Sequence, residues 1–157
     1  MIKPKETFLA GEMSRWHTHD DPRLRRCGET VGAHAWGVSM LVQWLDPECN
    51  KDTLLYALTH DVGERGLGFD MSGPAKKRHP LLARNAALVE SAEHVACVGV
   101  PGDDVDYDLV GACDQLHALL RSIHETHGEV DWTWANDVIS GFDLYMQDVV
   151  RGLINDF

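Results

Sequence analysis

Between residues 104 and 124, Leu109, Cys113, Leu116, Leu120 and Ile123 recur at alternating steps of four and three. Only an α-helix turns that spacing into one continuous apolar face, and such a face must be buried against other elements. The same logic recurs along the chain. Residues 29–45 place Val31, Val38, Leu41 and Leu45 on a stripe, and residues 51–61 group Leu54, Ala57 and Leu58. An Ala-rich segment over 81–98 ends at "GVPG", and 132–154 repeats the pattern with Ile139, Phe142, Met146, Val149 and Leu153. Residues 63–80, rich in Gly, Pro and Ser, predict an ordered loop. No stretch alternates with period two. The expectation is an all-α fold, a compact bundle of about six helices forming a single domain over 1–157.

A net charge of −11 argues against a nucleic-acid polymer as partner, because phosphate-backbone binding needs a broad basic face. The cations are unevenly placed. Arg15, Arg23, Arg25 and Arg26 fall in one window, and Arg65, Lys76, Lys77, Arg78 and Arg84 in another, while residues 85–157 carry only Arg121 and Arg151 against fourteen acids. That clustering reads either as a solvated basic surface or as a local pocket for a small anion. The first residues lack the apolar core of a signal peptide and no run is long enough to span a membrane, so a cytoplasmic protein with reduced thiols is expected. Cys27, Cys49, Cys97 and Cys113 are scattered and form no metal-binding pair.

Three polar residues interrupt the apolar stripes. His34 lies on the stripe of 29–45 among Gly32, Ala33, Ala35 and Gly37. Asp61 follows His60 at the end of an apolar helix, where packing Leu54, Ala57 and Leu58 carries it inward. Asp114 borders the Leu109–Cys113–Leu116 face. Singly, each has an ordinary structural explanation: a satisfied core histidine, an acid paired with arginine, a helix-edge aspartate. Together, His34, His60, Asp61 and Asp114 form a two-nitrogen, two-oxygen set suited to a borderline divalent ion such as Zn, Mn, Co or Fe. Glu64, one turn beyond His60, is placed to touch water at that ion. The earlier His19-Asp20 pair, flanked by "DDPRLRR", reads as a solvated loop. His17 and His19 offer a weaker second site for an ion carried in with a polyphosphate. His117, three residues after Asp114, reads as a helix-edge histidine or as a support for the ligands.

The order His34, His60-Asp61, Asp114 resembles the signature of the HD-domain phosphohydrolases. The flanking "RW" (15–16), "ETVGAH" (29–34), "HDVGE" (60–64), "DMSGPAK" (70–76) and "ACDQLHALL" (112–120) are similar to bacterial 5′-deoxynucleotidases and small phage dATP triphosphohydrolases. This resemblance implies one transition metal (Zn, Co or Mn) on His34, His60, Asp61 and Asp114, with Mg or a second ion accompanying the substrate phosphates. It implies acid–base work for Glu64 with Asp70 as a further acidic helper, phosphate contacts for Arg15 and Lys76, and Trp16 against the deoxyribose or base. Lys77 adds a second point charge beside Lys76, and the place of Trp16 next to Arg15 and before a polar loop predicts an exposed stacking surface. The implied reaction is cleavage of dATP to deoxyadenosine and triphosphate. The alternatives are a 5′-deoxynucleotidase acting on deoxynucleoside monophosphates generally and a non-catalytic nucleotide-sensing module. The expected partners are a small-molecule deoxynucleotide and further copies of the chain, with neither a nucleic-acid polymer nor a membrane.

Overall fold

The structure, a computed structural model, describes residues 3–16, 19–71 and 73–157. Its elements in chain order are α1 (Pro4–Gly11), a 3-10 turn (Leu24–Arg26), α2 (Val31–Leu45), α3 (Lys51–Thr59), a second 3-10 segment (His60–Gly66), α4 (Gly73–Arg78), α5 (Pro80–Cys97), α6 (Tyr107–Glu125), α7 (Trp132–Ser140) and α8 (Leu144–Asp156). Among the described residues the only strand-like pairing is an isolated bridge between Ser14 and Thr30. The all-α class is therefore as expected, with eight α-helices instead of about six.

The core is built on α6. Its stripe buries Leu109, Cys113, Leu116, Leu120 and Ile123 against Val38 and Val42 of α2, Ala57 of α3, Val138 and Ile139 of α7, and Val150 and Ile154 of α8. Each fully buried Leu or Ile contributes roughly 1.5–3 kcal/mol of transfer free energy. Side-chain caps start the helices that frame the core. The hydroxyl of Thr30 accepts from Ala33 N, Asn50 Oδ1 from Asp52 N and Thr53 N, and Asp106 Oδ1 from Leu109 N.

The extra helices have identifiable causes. The stripe assigned to 132–154 is cut at Gly141–Phe142–Asp143, where Asp143 caps α8 by accepting from Met146 N. Phe142 stays buried in the corner, so the apolar spacing runs straight through the break. α1 carries no marked apolar stripe and buries only Ala10. The stretch 63–80 expected as a loop instead holds the end of the second 3-10 segment and α4. Leu58 departs from expectation: it is 47% exposed. The inward face of α3 runs through Thr53 and Ala57, and Leu58 lies one residue past it on the solvent side.

The segment His60–Gly66 tightens to 3-10 geometry, in which residues three apart eclipse one another. Gly63 and Gly66 thus share one side, and that side meets α5. A Cβ at Gly63 would lie 2.0 Å from the backbone oxygen of Glu90, and one at Gly66 would lie 3.0 Å from Val89 Cγ1. The absence of side chains there lets α5 close over the turn carrying His60, Asp61 and Glu64.

Candidate metal centre

Helix α2 brings His34, the 3-10 turn brings His60 and Asp61, and α6 brings Asp114 to one point. One donor atom from each of the four lies within 4.8 Å of the others. His34 Nε2 is 2.9 Å from Asp114 Oδ1 and 3.5 Å from Asp61 Oδ2. His60 Nε2 is 3.3 Å from Asp61 Oδ1 and 3.8 Å from Asp114 Oδ1. Both Nε2 atoms are buried without a properly aligned hydrogen bond. His60 Nδ1 donates to the carbonyl of Ala57 at 2.8 Å, which places the proton on Nδ1 and turns the Nε2 lone pair toward the carboxylates. Two buried imidazole nitrogens lacking partners, aimed at two carboxylates, fit a bound divalent cation.

The electrostatics without an ion are those of crowded opposite charges. Burial opposes charge on the His60 imidazole, but Asp61 and Asp114 outweigh it and push the ring up to about 9. Burial likewise opposes charge on Asp114, yet contacts with His34 and His60 hold it well below the usual carboxylate range. Asp61 is also lowered: burial works against it, and His60 and Arg15 prevail. Arg15 pairs directly with Asp61, and its Nε lies 3.8 Å from Asp70.

Glu64 is 3% exposed and its Oε2 has no hydrogen-bond partner. Burial first, then the neighbouring Asp61 and Asp70 carboxylates, push its carboxyl up to about 10. It is a buried acid held neutral beside the candidate ligands. Asp70, also buried, accepts from the Trp16 backbone N–H at 3.3 Å.

Arg15, Trp16, Asp70, Lys76, Lys77 and Asp114 all line one cavity of about 820 Å³, which continues past Ala118 and Ser122 to Trp134 and Asp137 on α7. Lys76 and Lys77 are exposed on α4, at the cavity wall. Trp16 corrects an expectation: it is no exposed stacking platform but 7% exposed, with its indole N–H donating to Glu29 Oε2 at 2.6 Å. An indole N–H wants a partner when buried, and the buried carboxylate of Glu29 supplies one. Trp16 also adopts φ 63°, unusual for a bulky residue. Its bonds to Asp70 and Glu29, with Arg15 N donating to the Glu29 carbonyl at 2.8 Å, hold that turn in place.

Glu29 and the α7 wall were not singled out from the sequence. Glu29 is 5% exposed just before α2, a position where an acid is ordinarily solvated. His117 is not a free edge residue: its Nδ1 lies 3.0 Å from His34 Nδ1. The amino-terminal His-Asp pair makes surface and local contacts away from the four-residue cluster. Asp20 pairs with Arg78 at 2.7 Å, and His19 Nδ1 accepts from Asp21 N at 3.0 Å. His17 lies outside the described residues. The four cysteines are free, and no described helix is long and apolar enough to cross a membrane. No family model, curated protein or solved structure matches the chain.

Proposed function

We propose that this chain is a metal-dependent deoxynucleotide phosphohydrolase, with dATP cleaved to deoxyadenosine and triphosphate as the leading reaction. The observation that carries the reading is the convergence of His34, His60, Asp61 and Asp114 near the buried Glu64, whose Oε2 lacks a hydrogen-bond partner, with Asp114, Arg15, Lys76 and Lys77 lining a cavity of about 820 Å³. That volume lies within the usual range for small-molecule sites.

When bound, a divalent ion (Zn, Co or Mn) would acidify water and polarise a phosphoryl oxygen. The remaining work belongs to the chain. Glu64 is neutral while buried with the Asp61 and Asp70 charges facing it. With those charges offset by a bound cation it can ionise, and it is then placed to take a proton from the attacking water and return it to the departing oxygen, a role worth about 10²–10⁴-fold. Arg15 already bridges Asp61 and faces Asp70, so an incoming phosphate competes with those carboxylates for its guanidinium fork. Lys76 and Lys77 act as point charges at the mouth. Asp70 restrains Arg15 and the Trp16 turn. Trp16 forms a fixed wall of the cavity, and this wall, not an open stacking face, is the proposed source of a preference for deoxyribose. Magnesium or a second ion would accompany the substrate's own phosphates.

A 5′-deoxynucleotidase acting on monophosphates generally uses the same residues and differs in the leaving group. A non-catalytic nucleotide-sensing module is disfavoured by Glu64, since burying a carboxyl with one oxygen left without a hydrogen bond is costly and brings nothing to a pure binding site. Assembly into a homo-oligomer is part of the proposal; α5 exposes Leu81, Leu82, Leu88 and Val89 for it. The test is a panel of dNTPs, dNMPs and ribonucleotides with Zn, Co, Mn and Mg, with products read by chromatography. Triphosphate release supports the leading reading and orthophosphate release the nucleotidase. Equal turnover of ATP and dATP contradicts the sugar preference, and no hydrolysis with any metal contradicts the enzyme.

A further inference from the structure

We propose that His117 is a positioning residue that fixes the tautomer and orientation of His34 for metal binding, in a slot that Gly37 leaves open for its ring. The inference rests on the metal-centre reading of His34, His60, Asp61 and Asp114.

His34 is 0% exposed and sits on α2 with both ring nitrogens buried in protein. Its Nε2 faces Asp61 and Asp114, while its Nδ1 faces His117 Nδ1 at 3.0 Å, and the two rings meet edge to face with centroids 4.7 Å apart. A neutral imidazole has one N–H. If Nε2 is to present a lone pair to an ion, the proton must sit on Nδ1, and it then needs an acceptor. Among the described residues, the acceptor found at that distance is His117 Nδ1. His34 thus donates and His117 accepts.

The sequence keeps a place for this contact. A Cβ at Gly37 would lie 2.1 Å from His117 Nε2 and 2.3 Å from its Cδ2. Any larger residue at 37 would drive the ring away from His34. On the Nδ1 edge that faces His34, Glu29 Oε1 comes no closer than 4.0 Å, too far for a hydrogen bond. Glu29 is engaged instead by Trp16 Nε1 and approached by Arg121 Nε at 3.8 Å. Glu29 therefore walls the slot without taking the nitrogen that His34 needs. Glu29, His34 and His117 also lie close enough to hold an ion themselves. That alternative would require His34 to bridge two cations through a doubly deprotonated ring, and the hydrogen bond requires no such cost.

The experiment is a cobalt(II) titration of the metal-stripped full chain, reading both affinity and the visible d–d spectrum. The variants are His117→Ala, His117→Gln and Gly37→Ala, each checked for a wild-type unfolding midpoint. His117→Ala and Gly37→Ala, which leave all four ligands in place, are expected to weaken binding about 10–100-fold and shift the spectrum. His117→Gln, whose amide oxygen can accept from Nδ1, is expected to recover a large part of both. Wild-type affinity and spectrum in His117→Ala would overturn the positioning role while leaving the metal centre standing. Two ions per wild-type chain, with one lost in His117→Ala, would overturn it in favour of a second metal site. No cobalt binding by the wild type would overturn the metal centre itself and this inference with it.

Discussion

Replacing Gly63 with alanine should destabilise the fold more than a one-carbon change normally does. The new Cβ would lie 2.0 Å from the Glu90 carbonyl oxygen, 2.6 Å from its carbon and 2.9 Å from its Cα. Carbon–oxygen contacts settle at about 3.3 Å or beyond, so the 3-10 segment and α5 must part by roughly 1.3 Å. The obstacle is backbone inside a helix and cannot rotate aside. Overpacking of this kind costs about 1–3 kcal/mol, and a backbone obstacle places Gly63→Ala at the upper end. The alanine recovers roughly 0.5–1 kcal/mol by restricting the unfolded chain. The net loss is then about 2–2.5 kcal/mol. For a chain of this size that lowers Tm by roughly 4–10 °C, and it lowers the urea midpoint by about 1 M. Gly111→Ala is the matched control. It lies in the interior of α6, is exposed, and meets no atom within 4 Å, so it should gain roughly 0.5–1 kcal/mol. Urea unfolding followed by far-UV circular dichroism decides the matter. A Gly63→Ala midpoint at or above wild type would refute the close seating of the His60–Gly66 turn on α5.

The other predictions concern charge, capping and phosphate contact. In metal-free protein, Glu64 raised from 4.5 to about 10 contributes stability that is fully present below about 4.5 and lost as pH rises toward 10; His60, raised from 6.5 to about 9, acts in the same direction. The urea midpoint of EDTA-treated wild type should therefore fall between pH 5 and pH 9, and Glu64→Gln should flatten most of that slope. Asp143→Ala removes the cap that separates α8 from α7 and should cost about 1 kcal/mol in the same assay. Lys76→Ala with Lys77→Ala should raise KM for a triphosphate with little change in kcat. Glu64→Gln should lower kcat by about 10²-fold or more while a titration still shows metal bound.

The parts of the molecule legible in the sequence are those whose signal is local. The α6 face is written at every third or fourth residue. His34, Asp61 and Asp114 stand out because each interrupts an apolar stripe, and the structure brings them together with His60. What escaped is what depends on distant partners. Trp16 lies in a polar context, and the partners that bury it are distant: Leu24 and Ala118 pack with it, and the carboxylate of Glu29, thirteen positions away, takes its indole N–H. His117 shares a helix face with Asp114, but the ring it meets is 83 positions away. The break between α7 and α8 is silent because Phe142 is buried at the corner and keeps the helical spacing across it. Leu58 misled for the converse reason: an apolar residue next to a buried face need not lie on it.

Equilibrium dialysis of the metal-stripped chain against zinc or manganese tests the central claim most directly. One tightly held ion per chain is expected, lost in His34→Ala and in Asp114→Ala and retained in His19→Ala. Absence of binding by the wild type, or binding that survives the loss of both His34 and Asp114, would contradict it.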